Sequence, residues 1–125
     1  MQVMILDTLD DIGEYCAALI IRDIDEGRLT VLGVTTGLSP LPVYEALIHL
    51  DSSAAAGLTA FALDEYVGVV HEDPQSYHSV IHRDVTVPLG LDSARVHVPD
   101  GAALDLSAAC VAYEVKIISA GGVDL

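Results

Sequence analysis

Positive charge is what this sequence has least of. Five Lys and Arg stand against nineteen Asp and Glu, for a formal net charge of −14. Nucleic acid and anionic membranes are held through clusters of basic side chains, and Arg22, Arg28, Arg83, Arg95 and Lys116 are too few to form one, so neither is an expected partner. Cysteine is scarce too. Cys16 and Cys110 are far apart, each inside a helical apolar pattern, which makes neither a disulfide framework nor a metal knuckle; both are expected as core thiols. No uncharged apolar stretch approaches the roughly 20 residues a membrane-crossing helix needs. The first residues lack a basic leader followed by an apolar block, so the chain reads as cytoplasmic.

Apolar residues, by contrast, are plentiful: they make up 52% of the 125 residues, enough for one domain with a sizeable core spanning 1–125. MQVMIL opens as a strand. Thr8 and Asp11 have capping-box spacing ahead of Ile12, Cys16, Leu19, Ile20 and Ile24, which recur at helical intervals, with Gly27 as the stop. LTVLGV, residues 29–34, is a short strand buried on both faces, and a helix follows from about Pro40 to Leu50. Leu58 to Leu63 is a third strand. Asp73-Pro74 is the expected N-cap and first position of a helix to about Val85. Val96 to Val98 is a fourth strand, and Leu106 to Ile118 a closing helix. Strands alternating with helices predict an α/β fold, a Rossmann-like parallel sheet of about four strands. The final VDL reads as the start of a further strand, so the sheet is expected to be incomplete.

Reactive groups in such sheets gather at the carboxyl ends of strands. Thr35 to Ser39 lies between a strand and a helix start, where backbone amides and hydroxyls can surround an anion, although the segment has neither the spacing nor the lysine of a Walker loop. Asp64-Glu65-Tyr66 ends an apolar strand. An acid there must be hydrogen-bonded, paired or neutralised, and such surroundings raise a carboxylate's pKa into the range of a useful base. A solvated turn is the plainer reading. His78 and His82 form an HxxxH pair without a third ligand, so no metal is expected. His49, His71 and His97 stand alone, and Tyr77 begins a helix that a loop containing Gly68 could make a lid.

VLGVTTGLSPLPVYEALIHL, FALDEYVGV, DPQSYHSVIHRDV and GGVDL, in this order and spacing, resemble the N-terminal half of glucosamine-6-phosphate deaminase. The sibling 6-phosphogluconolactonases have Asp-Glu-Arg where this chain has Asp64-Glu65-Tyr66. The resemblance implies conversion of glucosamine 6-phosphate to fructose 6-phosphate and ammonia, with a phosphosugar as the small-molecule partner, no cofactor, and room for a homo-oligomer. It gives Asp64 the proton transfer between C2 and C1, places phosphate at Thr36, Gly37, Leu38 and Ser39, and makes Tyr77 the lid tyrosine; Glu65 joins the substrate site as the second of two neighbouring acids, which suit a substrate bearing an ammonium group. Leu38 departs from the Gly or Ser usual in that turn, and the 51–57 linker is short. The family's ring-opening Asp-x-His pair and glutamate, and a basic pair at the phosphate, lie beyond the segment matching GGVDL. A chain without them is expected to be nearly inactive. The alternatives are a non-catalytic phosphosugar sensor and a lactonase.

Overall fold

The computed structural model describes residues 3–51 and 53–125. Thr8 caps the first helix, α1 (Leu9–Asp25): its hydroxyl accepts from the Asp11 amide at 3.1 Å, and Asp11 Oδ2 accepts from the Thr8 amide at 3.1 Å. Two of the amides a helix start leaves unpaired are thus satisfied. The buried face of α1 is Gly13, Ala17 and Ile20, one residue round from the anticipated stripe, and Ile12 is exposed. Gly13 explains the rotation, because a side chain there would overlap the backbone of Pro42 in the next helix. Gly27, at φ 69°, ends the turn after α1.

β1 (Val31–Val34) leads through the 35–40 turn into α2 (Leu41–Asp51), and β2 (Thr59–Ala62) follows a tight 3-10 turn. Past β2 a loop runs to α3 (Tyr77–Ile81), which widens into one π-type turn over His82–Thr86. β3 (Val96–His97) and α4 (Leu106–Ser119) complete the order. The three strands are parallel in the order β1-β2-β3, with Val34 opposite Ala62 and Phe61 opposite His97.

Side chains alternate across the sheet as strand geometry requires. Leu32, Val34, Ala60 and Ala62 face one core with Ala17, Ile20, Tyr44, Leu47, Ile81, Val85 and Leu89. Leu47 and Ile81 are each 1% exposed, and burial on that scale stabilises by roughly 1.5–3 kcal/mol per side chain. Phe61 faces the other way, edge-on to Tyr113 of α4 at 5.7 Å. After β3 the chain crosses back over this second face, and residues 123–125 lie along the free side of β1. There the Asp124 amide donates to Val31 O at 2.9 Å and Gly33 N donates to Leu125 O at 2.7 Å. The Asp124 carboxylate also accepts from the amides of Thr30 and Val31, at 2.9 and 3.0 Å, which lowers its pKa. VDL therefore pairs with β1, as its pattern suggests.

Several expectations need correction. Among the described residues the sheet has three strands where about four are expected, with residues 123–125 bonded along β1 but not forming a regular strand. Residues 3–6 of the anticipated opening strand have no regular structure, and Val3 and Ile5 are 71% and 90% exposed; Met1 and Gln2 lie outside the described residues. A strand needs a neighbour's edge, and residues 123–125 already occupy the outer side of β1. The third helix starts at Tyr77 and is capped by Ser76, whose hydroxyl accepts from the Ser79 amide at 3.0 Å. Asp73 turns the chain earlier, its Oδ1 accepting from the Gln75 amide. Cys110 is exposed and Cys16 only partly buried, because α4 has no buried residue and Cys16 flanks the buried stripe of α1. His71 is not isolated: its ring stacks on His78 at 4.5 Å, nearly parallel.

Candidate functional site

The return of the chain across the sheet puts a change of direction beside β1, and ligands of open parallel sheets bind outside the carboxyl ends of strands at such points. Two of the anticipated segments leave that edge from neighbouring strands. The Thr35–Ser39 turn follows Val34, and Leu63-Asp64 follows Ala62, its paired residue. Leu63 N donates to Val34 O at 3.0 Å, so the two exits are joined one residue beyond the ladder.

The turn has the properties of an anion cradle. Tyr44, buried in α2, holds its first residue: the hydroxyl donates to Thr35 O at 2.9 Å and accepts from Thr35 N at 3.1 Å. Burial raises the pKa of that hydroxyl, keeping the donor protonated. Gly37 takes φ 105°, a conformation that disfavours any side chain. Among the described residues the amides of Thr36, Gly37, Leu38 and Ser39 have no hydrogen-bond partner. Leu38 is 85% exposed, so its side chain leaves the turn instead of filling it. Arg28 and Arg95 precede β1 and β3, at the amino ends of strands, which is the opposite edge of the sheet. What the turn itself offers an anion is amides and hydroxyls.

Asp64 is exposed, contrary to the argument from burial. The last buried residue of the strand is Ala62, and Leu63 is already 76% exposed, so the chain has left the core before it reaches the acid. The structure places Asp64 in solvent at the strand exit. Glu65 is turned back toward the backbone. Its Oε1 accepts from the amides of Tyr66 and Tyr77 at 2.8 and 2.9 Å, and its Oε2 from that of His78 at 3.0 Å. The hydroxyls of Tyr66 and Tyr77 share a hydrogen bond of 3.0 Å, with ring centroids 4.6 Å apart. With the Tyr66 hydroxyl as donor this bond favours its protonated form and, foremost among several causes, raises the pKa of Tyr66.

Beside the two exits an apolar groove of about 460 Å³ opens under α4, reaching the turn at Thr35 and the acidic loop at Leu63. Tyr113 forms part of its wall, with its hydroxyl donating to Ala62 O at 2.7 Å and lying 3.1 Å from His97 O. Burial pushes the pKa of this hydroxyl well above that of an ordinary tyrosine. Tyr44 and Tyr113 were not anticipated as residues that shape the site. Each is a tyrosine in an apolar helix pattern, and only the tertiary fold shows that its hydroxyl ends on the backbone of a strand exit.

No family model matches the chain. Among curated proteins it is 48% identical to the glucosamine-6-phosphate deaminase of Pseudarthrobacter chlorophenolicus and 44% identical to that of Cutibacterium acnes; each match takes in 100% of this chain and 49% of the relative. The chain is homologous to glucosamine-6-phosphate deaminases. It spans about half the length of the curated relatives it matches. Among solved structures, a monomeric glucosamine-6-phosphate deaminase of the NagB superfamily superposes with a TM-score of 0.91 at 32% identity, covering 98% of this chain and 52% of that one. The 6-phosphogluconolactonase of Thermotoga maritima superposes less well, with a TM-score of 0.74 at 25% identity over 92% of this chain and 52% of that one. The glucosamine-6-phosphate deaminase homology thus agrees with the resemblance read from the motifs.

Proposed function

We propose that this chain carries the proton-transfer base and the phosphate turn of an enzyme that converts glucosamine 6-phosphate to fructose 6-phosphate and ammonia. The observation that carries the reading is homology across the whole chain, combined with the exit of Asp64 and of the Thr36–Ser39 turn from paired strands at one edge of the sheet. The sugar phosphate lies with its phosphoryl oxygens against the free amides of Thr36 to Ser39 and the Ser39 hydroxyl. Asp64 takes the C2 proton of the open-chain amino sugar, giving an enolamine, and returns a proton to C1. The imine left at C2 adds water and loses ammonia, so the net reaction consumes one water and releases one ammonia. A carboxylate held at a strand end beside the carbon acid contributes mainly through fixed position. Tyr77, at the first turn of α3, closes over the sugar.

The ring-opening groups and the basic pair that the resemblance implies have no counterpart among these residues, so the chain by itself binds weakly and turns over little. Ammonia release from glucosamine 6-phosphate tests this. The expected result is negligible release by the 125-residue chain and clear release by a chimera completed with the rest of the Pseudarthrobacter chlorophenolicus relative. Robust turnover by the chain alone would contradict the assignment. Lactone hydrolysis by the chimera without ammonia release would favour the lactonase instead.

A further inference from the structure

Glu65 adjoins the proposed base, yet both of its carboxylate oxygens are used on backbone. Tyr77 and His78, whose amides it accepts, are the first two residues of α3, and Ser76 takes the third amide, that of Ser79. A five-residue helix has too few internal bonds to hold itself, so its start is set by whatever binds those amides. The third bond, to the Tyr66 amide, ties the same carboxylate to the acidic loop. On the loop's far side Gly68 N donates to Gly101 O at 2.7 Å, and a Cβ at Gly101 would overlap the Tyr66 carbonyl. The 64–68 segment is thus fixed from two directions.

We propose that Glu65 is a positioning residue: its carboxylate fastens the start of α3 to the Asp64 loop and so sets the Tyr66–Tyr77 hydroxyl pair beside the proposed base, without contacting substrate. This role takes the place of the substrate contact expected of Glu65 from its position beside Asp64. The clamp is read from the chain's own hydrogen bonds; only the meaning of Tyr77 as a lid rests on the proposed function. Glutamine cannot reproduce the clamp, because one of its two ends is an NH₂ donor that would face a backbone amide. Aspartate keeps the charge but is one methylene too short to reach.

The test is a pH titration of the chain labelled with ¹³C at tyrosine Cζ, assigned with Tyr→Phe variants. In the parent, Tyr66 is expected to titrate above the ordinary tyrosine value of about 10 because of the Tyr77 hydrogen bond. Tyr77→Phe lowers it. Glu65→Gln is expected to lower it as well, while the Tyr44 and Tyr113 signals, remote from the clamp, stay unchanged and report an intact fold. Loss of the Glu65 charge alone would lower Tyr66 equally with or without Tyr77. A clamp acting through Tyr77 predicts that Glu65→Gln adds little in the Tyr77→Phe background. Unchanged Tyr66 titration in Glu65→Gln, or an equal shift in both backgrounds, overturns the proposal. Should Glu65→Gln disturb the Tyr44 and Tyr113 signals, Glu65→Asp serves: a lowered Tyr66 titration supports the clamp and parent-like behaviour sinks it. Calorimetry of the parent with glucosamine 6-phosphate, run separately, bears on the function alone, so the two failures are distinguishable.

Discussion

His97 shows how a single residue near the strand ends couples to pH. Its ring lies 4.7 Å from that of Phe61 in β2, and burial, followed by the nearby Lys116 charge, lowers its pKa. The unfolded chain therefore binds a proton there more readily than the folded one. Stability from this group is fully present above the unfolded value of about 6.5 and is lost as pH falls through the lower folded value. Thermal melts of the parent and of His97→Gln, compared between about pH 7.5 and 5.5, should show the steeper loss in the parent. Equal slopes would mean that the ring is not shielded. None of this was visible in the sequence, where His97 was one histidine among five. Asp64 is the opposite case: its place after an apolar run was legible, but its exposure was not, because solvent access depends on where the core ends.

The elements divide in the same way. α1 was readable because its signals are local: Thr8 and Asp11 cap each other, and the apolar residues recur at helical spacing. Thr8→Ala is expected to cost about 1 kcal/mol, lowering the melting midpoint by about 4 °C. A loss below a few tenths of a kcal/mol would show that the box contributes nothing in this context. The strands buried on both faces were likewise legible as continuous apolar runs. What failed were elements decided by partners. Residues 3–6 have strand composition, but the outer side of β1 is already taken by residues 123–125. The third helix starts at Tyr77 because Glu65, twelve residues before it, accepts its first amides, and no spacing rule announces a cap from so far away. The apolar pattern places α4 along the chain but does not show how loosely it packs: Val111, Val115 and Ile118 remain largely exposed.

For the molecule as a whole, the order β1-β2-β3, with residues 123–125 returning to β1, places the turn and the acidic loop at one edge. That edge carries free amides and a free carboxylate but none of the strand-leading arginines. An amide cradle orients a phosphate more than it neutralises it, so weak binding of glucosamine 6-phosphate by this strongly acidic chain is the expected result of a calorimetric titration. The chain spans about half of each relative, and ring opening and charge neutralisation are proposed to belong to the other half.

The proposed reaction depends on Asp64 moving the C2 proton. Deuterium uptake from D₂O at C2 of glucosamine 6-phosphate, followed by NMR in the completed chimera and in its Asp64→Asn variant, tests this step. Uptake is expected in the former and a loss of at least about 100-fold in the latter, with the substrate still bound. Undiminished uptake in the variant would contradict it.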